Sequence, residues 1–541
     1  MADLIGLIAG LVLDTGVSWL RMFTALFLSV IFSLAIGIYA ARRRTAERVI
    51  LPVLDVLQTL PILAFFPLAI AVFVFILPGF IGINAAVIFL IFTSMTWNIA
   101  FAVYEAIKAL PNEFIELARL YDMGPVDQLR KIFIPAAMPR VVEQSVLSWS
   151  IGLFYLVTSE IFSTGSSNYS VTYGIGVALT RLAASGNFFD YGIGIAIFIA
   201  FVIATRFLFF SPLEKYSTRY SESGAQAKQR ALTRSRLFKA LSEEGVKFRA
   251  ALGGISITRG AAPSQSAKKR AHHFIAAQAE TVRRHGARYI PKPLIAAIAI
   301  VLALLLLYYF SVLSPGIVTD EYLTIISLGA TFARVWLSFA IITAVAVPVC
   351  VYLVFKTHHA HAYLLTFQIF ASIPATILLP VIVASLNGLP QHSEFVAFVV
   401  FFLSGIWYII FSVIASSRTL PQTIFEVKKV FGVSGMRAWK DIYLKALVPG
   451  IITGSVTAIA AEWNASIVAE YFTTSGISSG GPTTAVLSSV HTGIGLLLDN
   501  SLNSGNFTMM ILALINLTAM ILIINTFVWK RFYRHLAKIY G

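Results

Sequence analysis

The sequence predicts an all-α integral membrane protein: two tandem, parallel five-helix units, about 11 transmembrane helices in all, and a basic cytoplasmic linker between the units. Three observations predict this. The 541 residues are 58% hydrophobic and only 12% charged, about half the charged share with which a soluble domain covers its surface. Apolar runs of about 20 residues recur, the length that crosses a bilayer as helix, and the ten-residue alternation of barrel strands is missing. A set of residues also repeats, in order, roughly 310 positions further on.

The spans in order are 17–41, 49–78, 83–104, 141–162 and 190–211, then 294–313, 322–355, 363–387, 395–415, 450–472 and 508–529. The apolar run 4–13 is too short to cross; a re-entrant or interfacial stub is one reading of it, and the sequence leaves its status open. The start "MADLIGLIAGLVLD" lacks the basic region of a cleavable signal peptide. Lys and Arg set the orientation. "ARRRTAER" follows the first span, Arg119, Arg130, Lys131 and Arg140 follow the third, a long basic stretch follows the fifth, and "WKRFYRHLAK" lies near the C-terminus. Alternating the spans puts all four on one side, the cytoplasm. The net charge is +16, and Glu214 to Pro293 alone holds 17 Lys+Arg against 5 Asp+Glu. Basicity this local marks a cytoplasmic segment beside lipid and argues against nucleic acid as a partner. Cys350 is the only cysteine, so neither a disulfide framework nor a cysteine metal site is available.

The repeat has three ungapped registers. Arg21, Pro61 and Pro67 recur 313 residues later as Arg334, Pro374 and Pro380. Trp97, Phe101, Pro111, Glu116, Pro139 and Glu160 recur 310 later as Trp407, Phe411, Pro421, Glu426, Pro449 and Glu470. Gly174 and Ser185 recur 319 later as Gly493 and Ser504. The chain therefore divides into a first unit (1–213), a linker (214–293) and a second unit (294–541) opened by one extra span. An even number of spans separates matching positions, so the units share one orientation.

Between the third and fourth spans of each unit the chain turns polar: "FIELARLYDMGPVDQLRKIFIPAAMP" from Phe114, and "FEVKKVFGVSGMRAWKDIYLKALVP" from Phe425. Phe114, Leu117, Ala118 and Tyr121 share a helical face, as do Ile424, Val427 and Phe431. Thr423 and Glu426 have capping-box spacing. Gly124, and in the second copy Gly432 and Gly435, offer a helix stop and a sharp turn. Pro139 and Pro449 fall where the next span begins, a position that tolerates proline. Each unit thus displays a short amphipathic helix, a turn and a second short helix on the cytoplasmic face.

These stretches resemble the loop of permease subunits of binding-protein-dependent ABC importers, whose pattern is roughly E-A-A, three residues, G and a hydrophobic-Pro ending. The flanks "LVTSEIFST" with "YGIG", and "IVAEYFTTS" with "TGIG", resemble most the nitrate/sulfonate/taurine branch. The resemblance implies a fused, duplicated permease in a prokaryotic cytoplasmic (inner) membrane. It implies two ABC ATPase subunits on the cytoplasmic side, holding ATP and Mg, and a solute-binding protein outside. By resemblance, Glu116 to Gly124 and Glu426 to Gly435 are coupling helices, with Glu116, Leu117, Ala118, Tyr121, Asp122, Gly124, Glu426, Val427, Phe431, Gly432, Ser434 and Gly435 as contacts. This chain departs from the pattern in four places. Asp122 stands where Gly432 keeps the glycine, Leu117-Ala118 and Val427-Lys428 replace the alanines, and Lys445 replaces the proline kept as Pro135.

No phosphate-cradling loop is present, since "GK" does not occur, so the chain itself is not expected to hydrolyse ATP or to bind a cofactor or metal. "SGISSGGPTTA" is Gly/Ser-rich but falls on the outer side. The best pathway candidates flank the prolines that break the second core helix: Gln58, Thr59, Pro61, Gln368, Ser372 and Pro374, with Thr96, Asn98, Asn464 and Ser466 behind them. Glu160 and Glu470 read either as gate or cavity groups or as interfacial hydrogen-bonding groups. Arg21 and Arg334 read as snorkelling cations or as an attraction for anions. "THHAHAY" (357–363) reads as a polar turn or a metal site, and the linker as a membrane-surface helix or a solvated tether. Two rival classes stand beside the importer. An ion-driven secondary transporter requires intramembrane relays, and an integral membrane enzyme requires a clustered catalytic constellation.

Overall fold

The structure, a computed structural model, describes residues 2–59, 62–164, 171–217, 315–357, 370–386, 389–417, 435–478 and 481–529, with the single residues 367 and 531. In the first half, α1 (Ala2–Arg42) is followed by α2 (Arg44–Thr59), a 3-10 turn (Ile62–Phe65), α3 (Phe66–Ile76) and α4 (Phe80–Lys108). Next come α5 (Asn112–Leu120), α6 (Pro125–Gln128), α7 (Ile134–Thr164), α8 (Ile175–Ala184), α9 (Phe188–Ala204) and α10 (Ser211–Ser217). The second half has α11 (Pro315–Tyr352), α12 (Ala375–Leu386), α13 (His392–Ser417), α14 (Gly435–Ala438) and α15 (Leu444–Glu470). A hairpin of β1 (Tyr471–Ser478) and β2 (Gly481–Ser489) precedes α16 (Ile494–Asn503) and α17 (Phe507–Ile524).

Among the described residues, eight helical stretches are long and apolar enough to cross a membrane. Among them too the fold is all-α apart from the antiparallel hairpin, which pairs Tyr471 with Ser489 and carries a register shift after Phe472. It occupies the Gly/Ser-rich stretch at the C-terminal end of α15. α14 and the π turn Trp439–Tyr443 precede the N-terminal end of that 27-residue helix, so they and the hairpin sit at its opposite ends, about 40 Å apart.

Several boundaries differ from the sequence reading. The run 4–13 is no stub. It continues into α1, a helix of 41 residues, because its polar interruption is satisfied in place: Thr15 Oγ1 donates to the Leu11 carbonyl, and Asp14 accepts from the Gly174 N–H. The described part of the span 49–78 is three pieces, α2, the 3-10 turn Ile62–Phe65 and α3; Pro61 lies outside the described residues. Pro67 sits in the first turn of α3, where a missing N–H costs nothing. Pro139 and Pro449 lie inside α7 and α15 rather than at their starts. The extra span 294–313 and the linker beyond 217 lie outside the described residues.

The registers of the repeat reappear as matched irregularities. π-helical turns occupy Leu129–Phe133 and Trp439–Tyr443, just ahead of the two helix prolines. Another matched pair, Thr205–Phe210 and Asn525–Trp529, follows α9 and α17. Asn187 and Asn506 each cap the helix that follows by accepting a backbone N–H, from Asp190 and Met509. Such turns are uncommon in helices, so their recurrence in register makes two copies of one architecture.

Helices pack closely through small and hydroxyl residues, since lipid tails supply no hydrophobic drive between helices. α1 meets α4 where Ser29 Oγ reaches the Phe92 carbonyl at 3.1 Å and Ser33 Oγ reaches the Thr96 carbonyl at 3.0 Å. α13 meets α15 at Gly450 and Gly454, where an added Cβ would come within 2.8 Å of the Ser412 carbonyl and of Ile409 Cα respectively. One apolar core runs through both halves, from Trp19 and Phe198 to Trp463 and Leu517.

Candidate functional site

The two halves meet along the broken second core helix of each. A break removes the Ile62 N–H from regular helix bonding, and in apolar surroundings an unpaired donor is costly. The donor is met from the other half: Ile62 N donates to Asn464 Oδ1 on α15 at 2.6 Å. The reciprocal contact joins Ser372, just before the second break, to Ser150 on α7, with 3.0 Å between hydroxyl oxygens. Tyr191 on α9 donates its hydroxyl to the Ile377 carbonyl on α12. The seam between the halves is therefore lined by neutral polar groups on the breaks and on the fourth core helices.

Of the predicted pathway residues, Asn464 and Ser372 lie in this seam, and Pro374 is buried beside it. Gln58 is exposed near the end of α2, and Asn98 and its neighbour Trp97 are half-buried on α4. The Thr59 side chain, Pro61 and Gln368 lie outside the described residues. Ser150 and Tyr191 were missed, because nothing in their local sequence marks them as facing the other half.

Glu160 and Glu470 stand elsewhere, at the outer ends of α7 and α15, each wholly buried. Each anchors the same clasp. Arg21 Nη1 meets Glu160 Oε1 at 2.6 Å, and Arg334 Nη1 meets Glu470 Oε1 at 2.9 Å. Ser18 donates to Glu160 Oε1 at 2.7 Å and Thr331 to Glu470 Oε1 at 2.6 Å. The second carboxylate oxygen accepts a backbone N–H at 2.8 Å, from Gly176 at the start of α8 and from Gly495 at the start of α16. The carboxylates thus sit at the positive ends of two short helices, where orphan N–H groups favour an anion. The glycines follow from the close approach: a Cβ on Gly174 would lie 2.5 Å from Glu160 Cδ, and one on Gly493 2.4 Å from Glu470 Cδ. Arg21 is buried, 3% exposed, and Arg334 is 15% exposed in its ion pair, so neither snorkels. The sequence reading also missed α8 and α16, which are too short to register as spans. The signal was present: opposite charges recurring together at matched intramembrane positions.

The clasps differ in one respect. Arg21 Nε donates to Asn84 at 2.8 Å, whereas Arg334 makes a two-toothed contact with Glu394 at 2.7 Å on each side. Asn84 and Glu394 are repeat equivalents, and so are Asp14 and Ser327. Each half keeps one arginine and two carboxylates, with the second acid moved from α1 in the first half to α13 in the second.

On the cytoplasmic side, α5 presents Phe114, Leu117, Leu120 and Tyr121 to solvent, Leu120 at 78% and Tyr121 at 73% exposure, with Val126 beside them. Ala118 is buried, so the predicted face is split: Ala118 seats the helix and its neighbours face out. Glu116 is exposed. After the last helical bond, Tyr121 N to the Leu117 carbonyl at 3.0 Å, the helix ends in the 6→1 bond of a Schellman turn, Met123 N donating to the Ala118 carbonyl at 2.9 Å. Its left-handed residue is Asp122, φ 50°, which accounts for a glycine at that place in the pattern; aspartate is among the few other residues that tolerate it. Gly124 is not the turn residue: at φ −61° it precedes α6. In the second copy Glu426, Val427, Phe431, Gly432 and Ser434 lie outside the described residues, and Gly435 begins α14 with φ +62°.

Behind each loop the π turn touches the end of the first core helix of its half. Arg42 lies over the Phe133 ring at 4.8 Å, and at the matching positions Phe355 stacks on Tyr443 at 4.2 Å. Among the described residues no group of His, Cys, Asp or Glu could hold a metal ion; His358, His359 and His361 lie outside them.

A family model described as the binding-protein-dependent transport system inner membrane component matches residues 33–217 and 359–538, more than half of the chain. The chain is 29% identical over 174 residues to the glycine betaine/proline betaine transport system permease protein ProW of Escherichia coli, covering 32% of this chain and 46% of that one. It is 30% identical over 162 residues to the nitrate import permease protein NrtB of Leptolyngbya laminosa, covering 30% and 51%. It is 25% identical over 160 residues to the bicarbonate transport system permease protein CmpB of Synechococcus elongatus, covering 30% and 55%. The chain thus spans about half the length of these relatives.

Proposed function

Because the chain belongs to the binding-protein-dependent transport system inner membrane component family, we propose that it forms the translocation pathway of an ABC importer. It is a multi-pass inner-membrane protein. In this reading residues 1–213 and 294–541 are two permease units tethered by 214–293, and the seam between them carries a small hydrophilic solute. The observation that carries the proposal is the exposed apolar row of α5 on the cytoplasmic side, repeated in sequence by residues 424–435. Aromatic and leucine side chains exposed there gain by burial at about 25 cal/mol per Å², and the groove of an ATPase subunit is the occupant that the family resemblance names. Two such subunits, holding ATP and Mg, would draw the loops together. Through the contacts at Phe133 and Tyr443 that motion would reach the first core helices and reopen the seam on the other side. This chain would supply the path and not the hydrolysis.

The solute in this reading is a small inorganic or organic anion delivered by an outer solute-binding protein. Support comes from the nitrate and bicarbonate permeases among the relatives. The neutral seam groups Asn464, Ser150 and Ser372 also suit a solute selected outside the membrane. ATPase activity of the reconstituted complex against nitrate, bicarbonate, alkylsulfonates and betaines, with and without binding protein, tests this. Stimulation by an anion supports the reading. Stimulation by betaine alone overturns the anion while keeping the importer, and uptake driven by an ion gradient without ATP overturns the importer.

A further inference from the structure

Glu462 lies on α15 within the membrane-spanning bundle of the second half, apart from the clasp and the seam. It is 0% exposed, and neither carboxylate oxygen has a hydrogen-bond partner. Two facing helices close around it. From α11 come Ser338, close enough to interact with the carboxyl though its hydroxyl makes no hydrogen bond of good geometry, and Ile342. From α13 comes Gly405, where an added Cβ would stand 2.6 Å from Glu462 Oε1 and 2.8 Å from Ile342 Cδ1. The first half fills the same space the other way round. Glu462 and Gly405 match Gly152 and Met95, each 310 residues earlier, and a Cβ on Gly152 would stand 2.2 Å from Met95 Cε. The long side chain has changed helix and the thioether has become a carboxyl. Packing alone does not require the carboxyl, since an apolar chain fills the equivalent space.

The groups that could answer its charge are few. α11 carries Asp320, Glu321 and Arg334, α13 carries His392, Glu394 and Tyr408, and α15 itself carries Lys445 and Glu470. Arg334, one turn from Ser338, is already paired with Glu394 and Glu470. Lys445 is 17 residues away along α15, about 25 Å toward the cytoplasm. Among the described residues no ion pair includes Glu462. An isolated carboxylate in such surroundings is far more costly than the neutral acid. We propose that Glu462 is a resident proton-binding site, holding its proton as a carboxylic acid between α11, α13 and α15 of the second half alone. The proton is held, not passed on. The next carboxylate on the helix, Glu470, is eight residues along, about 12 Å away, and is tied to Arg334. Loss of the proton places a bare charge among three helices and loosens the second half; the first half, with Met95 in that space, is indifferent.

Carbodiimide labelling of the full chain in liposomes tests the site, because a hydrophobic carbodiimide adds only to a protonated carboxyl in apolar surroundings. The expected adduct, mapped by mass spectrometry, is on Glu462 and not on the ion-paired Glu160 or Glu470. Its yield falls about tenfold per pH unit once the proton begins to leave. Glu462→Gln keeps the fold and abolishes the adduct. Absence of an adduct at every pH, labelling of Glu160 and Glu470 to the same extent, or an adduct of equal yield in the Glu462→Gln protein would overturn the proposal.

Discussion

The two halves spend the same architecture differently. Both clasp a buried glutamate with an arginine, a hydroxyl and a helix N-terminus, and both place a π turn behind the cytoplasmic loop. They part where one side chain can be exchanged for another across a contact: Asp14 with Asn84 against Ser327 with Glu394, and Met95 with Gly152 against Gly405 with Glu462. The seam is uneven too. Asn464 meets the first break, while its equivalent Phe154 is apolar, and Ser150, which meets the second, is matched by Ala460. Geometry that fixes backbone is duplicated. Side chains that fill volume or carry charge are balanced across a contact, and residue-by-residue symmetry is given up.

Breaking the duplicated part should have the largest effect. Arg21→Ala or Arg334→Ala leaves a buried carboxylate without its cation and should cost about 3–5 kcal/mol, read as a lowered midpoint of thermal or denaturant unfolding. Gly176→Ala drives a Cβ to 2.9 Å from Glu160 Cβ, and Gly495→Ala to 2.5 Å from the Ser466 carbonyl; each should cost about 1–3 kcal/mol by overpacking. Asn464→Leu orphans the Ile62 N–H, at about 1–3 kcal/mol, and should lower solute uptake more than Ser372→Ala does. The charge exchange can be sharpened by a double-mutant cycle. Asn84→Glu alone adds a third acid to the first clasp, and adding Asp14→Ser should recover most of the lost stability. The smallest effect is at Asp122, where Gly relieves the left-handed strain, a gain of no more than about 1 kcal/mol. Asp122→Val should lower ATPase coupling with little change in folding.

Much of this architecture was legible in the sequence. Composition and span length gave the class of fold, and the registers of 310, 313 and 319 residues predicted the matched elements. What could not be read was contact at a distance. Arg21 and Glu160 are 139 residues apart, and no local pattern says which opposite charges meet. The break near Pro61 was visible, but the Asn464 side chain that satisfies it lies 402 residues on. The run 4–13 could not be assigned because span length was judged from an uninterrupted apolar run, whereas Thr15 is satisfied by Leu11 and Asp14 by the Gly174 N–H, so the helix continues through them. Gly405 and Glu462 stayed hidden because repeat matching rewards identity, and their exchange with Met95 and Gly152 shows only once the helices are packed.

Cross-linking from α5 bears most directly on how this chain is powered. In a Cys350→Ser background a single cysteine at Leu117, which is 47% exposed, would be treated with a short thiol-to-amine linker in the assembled complex. The expected product is a covalent adduct with an ATPase subunit, its yield changing when nucleotide is bound. A complex that hydrolyses ATP in response to solute while residue 117 forms no adduct in any nucleotide state would contradict the account.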